Sequence, residues 1–140
     1  SRLDNLQAAI LNHKFKTFPD EIQRRRAVAA RYQAGLGDLK QLTLPPAPDA
    51  DARHYDVYQN YELEADRRDD LRKFLDGKGI KTIIQWAGTP VHQFTELGMN
   101  AKLPKTDKFF ERCMMIPMNA AITDAQVDEV IATIRQFYGA

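Results

Sequence analysis

From Ile80 to Phe94 the sequence changes character within a few residues, and that change limits what the chain can build. Ile80, Thr82, Ile84 and Trp86 alternate with Lys81, Ile83 and Gln85. This is the two-residue period of a strand with one buried face and a second face partly covered. Ala87, Gly88, Thr89 and Pro90 then break the alternation, and Val91, His92 and Gln93 set an apolar anchor beside two polar side chains. A buried strand that delivers an exposed loop is the setting in which a rigid scaffold presents binding groups. The plain alternative is a Gly-Pro turn with a surface histidine, and residue types alone favour it.

The flanking segments supply the scaffold. Tyr55, Val57, Gln59, Tyr61 and Leu63 alternate with polar neighbours in a second strand pattern. Asp66 is placed to cap a helix, with Asp69 in its first turn, Leu71, Phe74 and Leu75 as its core stripe, and Gly77 and Gly79 as its stop. Cys113 to Met118 reads as a third, nearly all-apolar strand whose end Pro117 confines to a sheet edge. Its methionines and Cys113 suit core filling and an inert thiol better than a ligand set or a nucleophile. Gln41 to Ala52, with Pro45, Pro46 and Pro48, reads as a connector because proline lacks the donor a central strand needs.

Helical spacing predicts an amphipathic helix from Arg2 to Lys14 and a second from Pro19 until Gly35 and Gly37. A turn is expected over Phe94 to Leu97, and a short helix from Leu103 through Phe110. The last helix carries the clearest local signals. Thr123 and Gln126 fit a capping box, and Val127, Val130, Ile131, Ile134, Phe137 and Tyr138 trace one apolar face. Successive helical residues point about 100° apart, so Arg24, Arg25 and Arg26 form no flat basic stripe. They suit a solvated face or intersubunit ion pairs rather than phosphate reading.

A chain of 140 residues has room for one ordinary core. The net charge of +1 gives no reason to expect nucleic acid or an anionic membrane as partner. A single cysteine excludes an internal disulfide framework and fits a reducing compartment, the cytoplasm by default. No apolar run is long enough to span a bilayer. The chain opens directly in a helical pattern without an initiator methionine, which leads us to expect a preceding segment. His13, His54 and His92 are too scattered for a metal motif, and serine occurs only at position 1, so a serine triad is excluded. On residues alone this is a small α/β or α+β domain.

The order of the segments is similar to a known family. Ser1 to Leu11, Arg24 to Tyr32, Tyr58 to Tyr61, Arg68 to Leu71, Gly79-Ile80, Pro90-Val91-His92, Leu103-Pro104 and Ile116-Pro117-Met118 together resemble the C-terminal part of the DegT/DnrJ/EryC1/StrS nucleotide-sugar aminotransferases. The resemblance implies the C-terminal domain of a fold-type-I pyridoxal-phosphate transferase, with a three-stranded, mainly antiparallel sheet flanked by helices. Residues 1–36 would be linker helices packed on a large domain or a second subunit through Leu6, Ile10, Ile22 and Tyr32. Residues 37–140 would be the small domain, the whole forming a single structural unit. The complete enzyme, a homodimer, would pass an amino group from glutamate to a nucleotide-linked keto-sugar. Its Schiff-base lysine and the aspartate on the pyridine nitrogen would precede Ser1, so this segment holds no catalytic residue and no metal, and is inactive alone.

Arg2 matches the arginine of the family's Asn-x-Arg motif, whose asparagine reaches the cofactor phosphate, and is kept only as cofactor-adjacent. Many members have His-Tyr-Pro after the strand, where this chain has Gln85-Trp86-Ala87, while Pro90-Val91-His92 keeps a second histidine. Gln59 likewise stands where a histidine is frequent. Gln85, Trp86 and His92 are therefore expected to be sugar contacts rather than acid or base catalysts. The alternative is a stand-alone, non-catalytic binding or regulatory module derived from that domain.

Overall fold

The computed structural model describes residues 4–140. Asp4 caps α1 (Asn5–Lys14) by accepting from the Gln7 amide at 2.8 Å. Pro19 and the acids Asp20 and Glu21 sit in the first turn of α2 (Phe18–Leu36), where a fixed φ and negative charge suit the positive end of the helix dipole. There follow β1 (Leu42–Thr43), β2 (Tyr61–Ala65), α3 (Arg68–Gly77), α4 (Pro104–Arg112), β3 (Cys113–Ile116) and α5 (Asp124–Tyr138). The strands form an antiparallel sheet in the order β1-β2-β3, with Leu63 opposite Met114 and Leu42 opposite Ala65.

The alternation of β2 divides its surroundings. Tyr61, Leu63 and Ala65 are buried, while Glu62 and Glu64 are half-buried on the other face. Arg112 of α4 bonds Glu64 at 3.3 Å and also pairs with Asp66. The core joins the β2 side chains to Val28, Ala29, Tyr32 and Leu36 of α2, Leu71 and Leu75 of α3, and Val127, Val130 and Ile134 of α5. Tyr32 stacks obliquely on Tyr61 at 5.0 Å between centroids and donates its hydroxyl to the Pro117 carbonyl at 2.7 Å.

The expected capping box at Thr123 and Gln126 forms as a reciprocal pair of bonds and starts α5. Met114, Met115 and Cys113 are buried in β3, as their residue types suggested, whereas Met99 is exposed.

Several expectations are corrected. The strand predicted over Ile80 to Trp86 is reduced to one bridge, in which Ile83 and Met115 exchange two backbone bonds of 3.1 and 2.8 Å. The third sheet strand is instead Leu42–Thr43, inside the stretch predicted as a connector, where the residues just before Pro45 are free to donate. The Tyr55 strand begins only at Tyr61, because Tyr58 takes a left-handed φ of 48° that ends any ladder before it. Arg67, not Asp66, occupies the position before α3, with φ 55° and no side-chain cap.

Tyr32 does not face outward. It is fully buried, so α2 shares its core with the sheet, whereas Leu6 of α1 is 73% exposed. The arginines of α2 are also not simply solvated. Arg24 pairs with Asp124 at 2.7 Å, Arg31 holds Asp128 by two bonds, and the buried Arg26 pairs with Asp49 and donates to the Asp56 carbonyl at 2.8 Å. Two of these tie α2 to the start of α5.

Candidate functional site

Between the Ile83 bridge and α4 the chain makes three single turns of 3-10 helix, at Gln85–Gly88, Val91–Gln93 and Thr95–Leu97. The first is unusual. Trp86, Ala87 and Gly88 are consecutive left-handed residues with φ of 53°, 54° and 78°. Glycine accepts that conformation freely, but each L side chain in it costs roughly 1–2 kcal/mol. The loop holds this strain while leaving the indole of Trp86 78% exposed. Strain kept at an exposed aromatic motivates a search for function there.

His92 and Gln93 anchor the second turn. His92 Nε2 lies 2.8 Å from Asp107 Oδ1, and Gln93 Nε2 donates to the same oxygen at 2.8 Å. These two bonds hold the Asp107 carboxyl below the usual carboxylate range. The imidazole is only 10% exposed, and Pro90 just before it is buried. The loop and the start of α4 thereby enclose an apolar groove of about 950 Å³, lined by Trp86, Val91, His92, Phe94, Leu103 and Phe110 among others. Its polar edges come from Thr89, Asn100, Thr106 and His92.

Two of the predicted residues, Trp86 and His92, thus meet at one groove. Gln85 does not line it and donates instead to Met115 Sδ at 3.4 Å, under the loop. Arg2 lies outside the described residues. Asp107 was missed as a site residue because it lies 15 residues from His92 and reads locally as an ordinary acid in a first helical turn. A separate open cleft of about 570 Å³, lined in part by Lys81, Asn119, Gln126 and Glu129, holds none of the predicted residues.

Among the described residues no buried lysine offers an anchor for pyridoxal phosphate. A lysine that forms an imine needs surroundings that favour its uncharged amine. Every lysine of the chain is exposed, and Lys81 is paired with Asp76. Among the described residues no cluster of His, Cys, Asp and Glu could hold a metal ion, and no helix is long and apolar enough to cross a membrane.

Comparison with known proteins places these features in a family. The chain is 32% identical to the dTDP-3-amino-3,4,6-trideoxy-alpha-D-glucose transaminase of Streptomyces venezuelae, over 98% of this chain and 36% of that protein. It is 32% identical to the UDP-2-acetamido-2-deoxy-3-oxo-D-glucuronate aminotransferase of Pseudomonas aeruginosa, over 96% of this chain and 36% of that protein. Its fold matches the crystal structure of S. venezuelae DesV, in complex with a ketimine intermediate, with a TM-score of 0.87 and 30% identity, over 99% of this chain and 38% of that one. The chain therefore spans little more than a third of the relatives it matches. Residues 1–135 match the description of one family throughout, and the chain belongs to the DegT/DnrJ/EryC1/StrS aminotransferase family.

Proposed function

We propose that this chain is the C-terminal domain of a pyridoxal-phosphate-dependent aminotransferase that transfers an amino group, with glutamate as donor, to a keto-sugar linked to a nucleotide. The observation that carries the reading is the family match over residues 1–135, joined to relatives named for aminotransfer on dTDP- and UDP-sugars. The family match does not favour a free-standing regulatory module. The complete enzyme works as a homodimer in the cytoplasm, a setting compatible with the single buried thiol of Cys113.

Pyridoxal phosphate supplies the electron sink for the transfer. Its lysine and its pyridine partner come from outside this segment, a reading supported by the exposure of every lysine here, and on that reading this piece alone does not catalyse the reaction. We assign Arg2, by its match to the family's motif alone, a place adjacent to the cofactor phosphate. Residues 1–36 link to the large domain, and the exposed Leu6 and Ile10, one turn apart on α1, support that role because exposed apolar side chains on one face call for a cover.

What this chain contributes is the mouth of the sugar site. Trp86 offers a flat apolar face and His92 a single polar atom, while Gln85, tied to Met115, fixes the base of the loop. These groups bind and orient the substrate and exclude water from its apolar side. They take no proton in the reaction. The test is steady-state kinetics of the full-length enzyme carrying Trp86→Ala or His92→Ala. The reading expects a higher KM for the nucleotide keto-sugar and an unchanged half-reaction with glutamate. Loss of the glutamate half-reaction would contradict it.

A further inference from the structure

We infer that Asp107 is a positioning residue that fixes the tautomer of His92, so that the imidazole offers Nδ1 to the groove as an acceptor for a hydrogen-bond donor on the ligand. This rests on the reading of the groove as the mouth of the substrate site. An ionised carboxylate has only acceptors. Asp107, held toward its ionised form by two donors, therefore requires the proton on His92 Nε2, 2.8 Å away. In the neutral ring the lone pair then lies on Nδ1.

Nδ1 has no protein partner among the described residues, yet it is not sealed from solvent. His92 lines the groove, and Nδ1 is the ring nitrogen that Asp107 leaves unpaired. Gln93 occupies the same Asp107 oxygen at 2.8 Å, which keeps the carboxylate from rotating away and locks the turn Val91–Gln93 to α4. No carboxylate, lysine or arginine lines the groove, and beside Thr89, Asn100 and Thr106 this lone pair favours a ligand group that can donate. The chemistry that fits is a neutral donor, the hydroxyl of a sugar or the imide N–H of a uracil or thymine ring. A group offering only acceptors, a phosphate or a carboxylate, finds no partner in this nitrogen.

Two measurements test this. Nitrogen-15 NMR of histidine-labelled chain, with His92→Gln to assign its ring, should show the neutral form of His92 carrying its proton on Nε2 rather than Nδ1. Asp107→Ala should relax it toward a mixture like that of the exposed His13. A ring protonated on Nδ1, or one indifferent to Asp107, overturns the inference. In the full-length enzyme Asp107→Ala should raise the KM of the nucleotide keto-sugar roughly tenfold, the worth of one hydrogen bond, with the glutamate half-reaction unaltered. Asp107→Asn, which keeps an acceptor, should restore most of it.

Inhibition by UDP or dTDP then separates the donors. Weakening in step with KM assigns the donor to the base, and unchanged inhibition assigns it to the sugar. Equal kinetics for Asp107→Ala and wild type refute the inference while leaving the aminotransferase reading intact. An enzyme that takes no amino group from glutamate refutes that reading and leaves the NMR result standing.

Discussion

Gly35 of α2 and Ile131 of α5 meet so closely that a Cβ built on Gly35 would lie 2.7 Å from both Cδ1 and Cγ2 of the isoleucine. The contact sits where Arg135 donates to the Gly35 carbonyl at 3.0 Å and pairs with Asp38 at 2.6 Å, so the two helices are fastened at the point of closest approach. Gly35→Ala gains up to about 1 kcal/mol of helix propensity but overpacks this crossing by about 1–3 kcal/mol. Denaturant unfolding should show a net loss. Gly77→Ala is the control: nothing lies within 4 Å of its added methyl and its φ is not left-handed, so it should stabilise by about 0.4–1 kcal/mol.

The acid limb of stability depends on exposed pairs. Asp128 beside Arg31 and Asp38 beside Arg135 both have their carboxyls held below the ordinary 3.8, chiefly by the arginine hydrogen bond. A carboxylate depressed in the folded state contributes stability that is fully present above its unfolded value and is lost as pH falls through the folded value. Each pair is solvent-screened and modest. An Asp128→Asn, Asp38→Asn double variant should be the less stable protein at neutral pH and lose stability less steeply below 3.8. Thermal midpoints across that range check it, and parallel curves would refute it.

Cys113 lies in β3 with burial pushing its thiol pKa up. Little thiolate forms at neutral pH and little of it is reachable. A thiol reagent should therefore modify the native chain slowly and the unfolded chain at once. Rapid native modification would show that β3 opens.

Trp86 combines strain with exposure, so stability and function should part there. Trp86→Gly relieves a left-handed φ of 53° and should hold or raise the free energy of unfolding, by about 1 kcal/mol at most. In the full-length enzyme the same change should weaken nucleotide-sugar binding. A clear loss of stability would mean that the indole packs in the structure as a core group.

The elements with local signals were legible in the sequence. The capping box of Thr123 and Gln126, the proline start of α2 and the apolar run of β3 each specify themselves within a few residues. The strand read from Ile80 to Trp86 was not, because alternation describes a strand only where a partner exists. Met115 offers one bridge, and the left-handed turn then turns the chain aside. Leu42–Thr43 was hidden for the converse reason, as its pairing with Glu64 and Ala65 supplies what its proline-rich surroundings lack. Of the groove's lining residues, composition and resemblance had singled out Trp86 and His92. Asp107 was invisible because its bond to His92 exists only once α4 packs beside the loop.

The central claim is that this domain completes an enzyme whose cofactor is seated elsewhere in the polypeptide. It is tested most directly by adding pyridoxal phosphate to this chain and to the longest polypeptide its source encodes, removing the excess, and recording absorbance. The account predicts that the longer protein keeps a band from lysine-bound cofactor, that glutamate bleaches it, and that the 140-residue chain retains none. A longer protein that retains no cofactor, or a band that glutamate leaves unchanged, would contradict it.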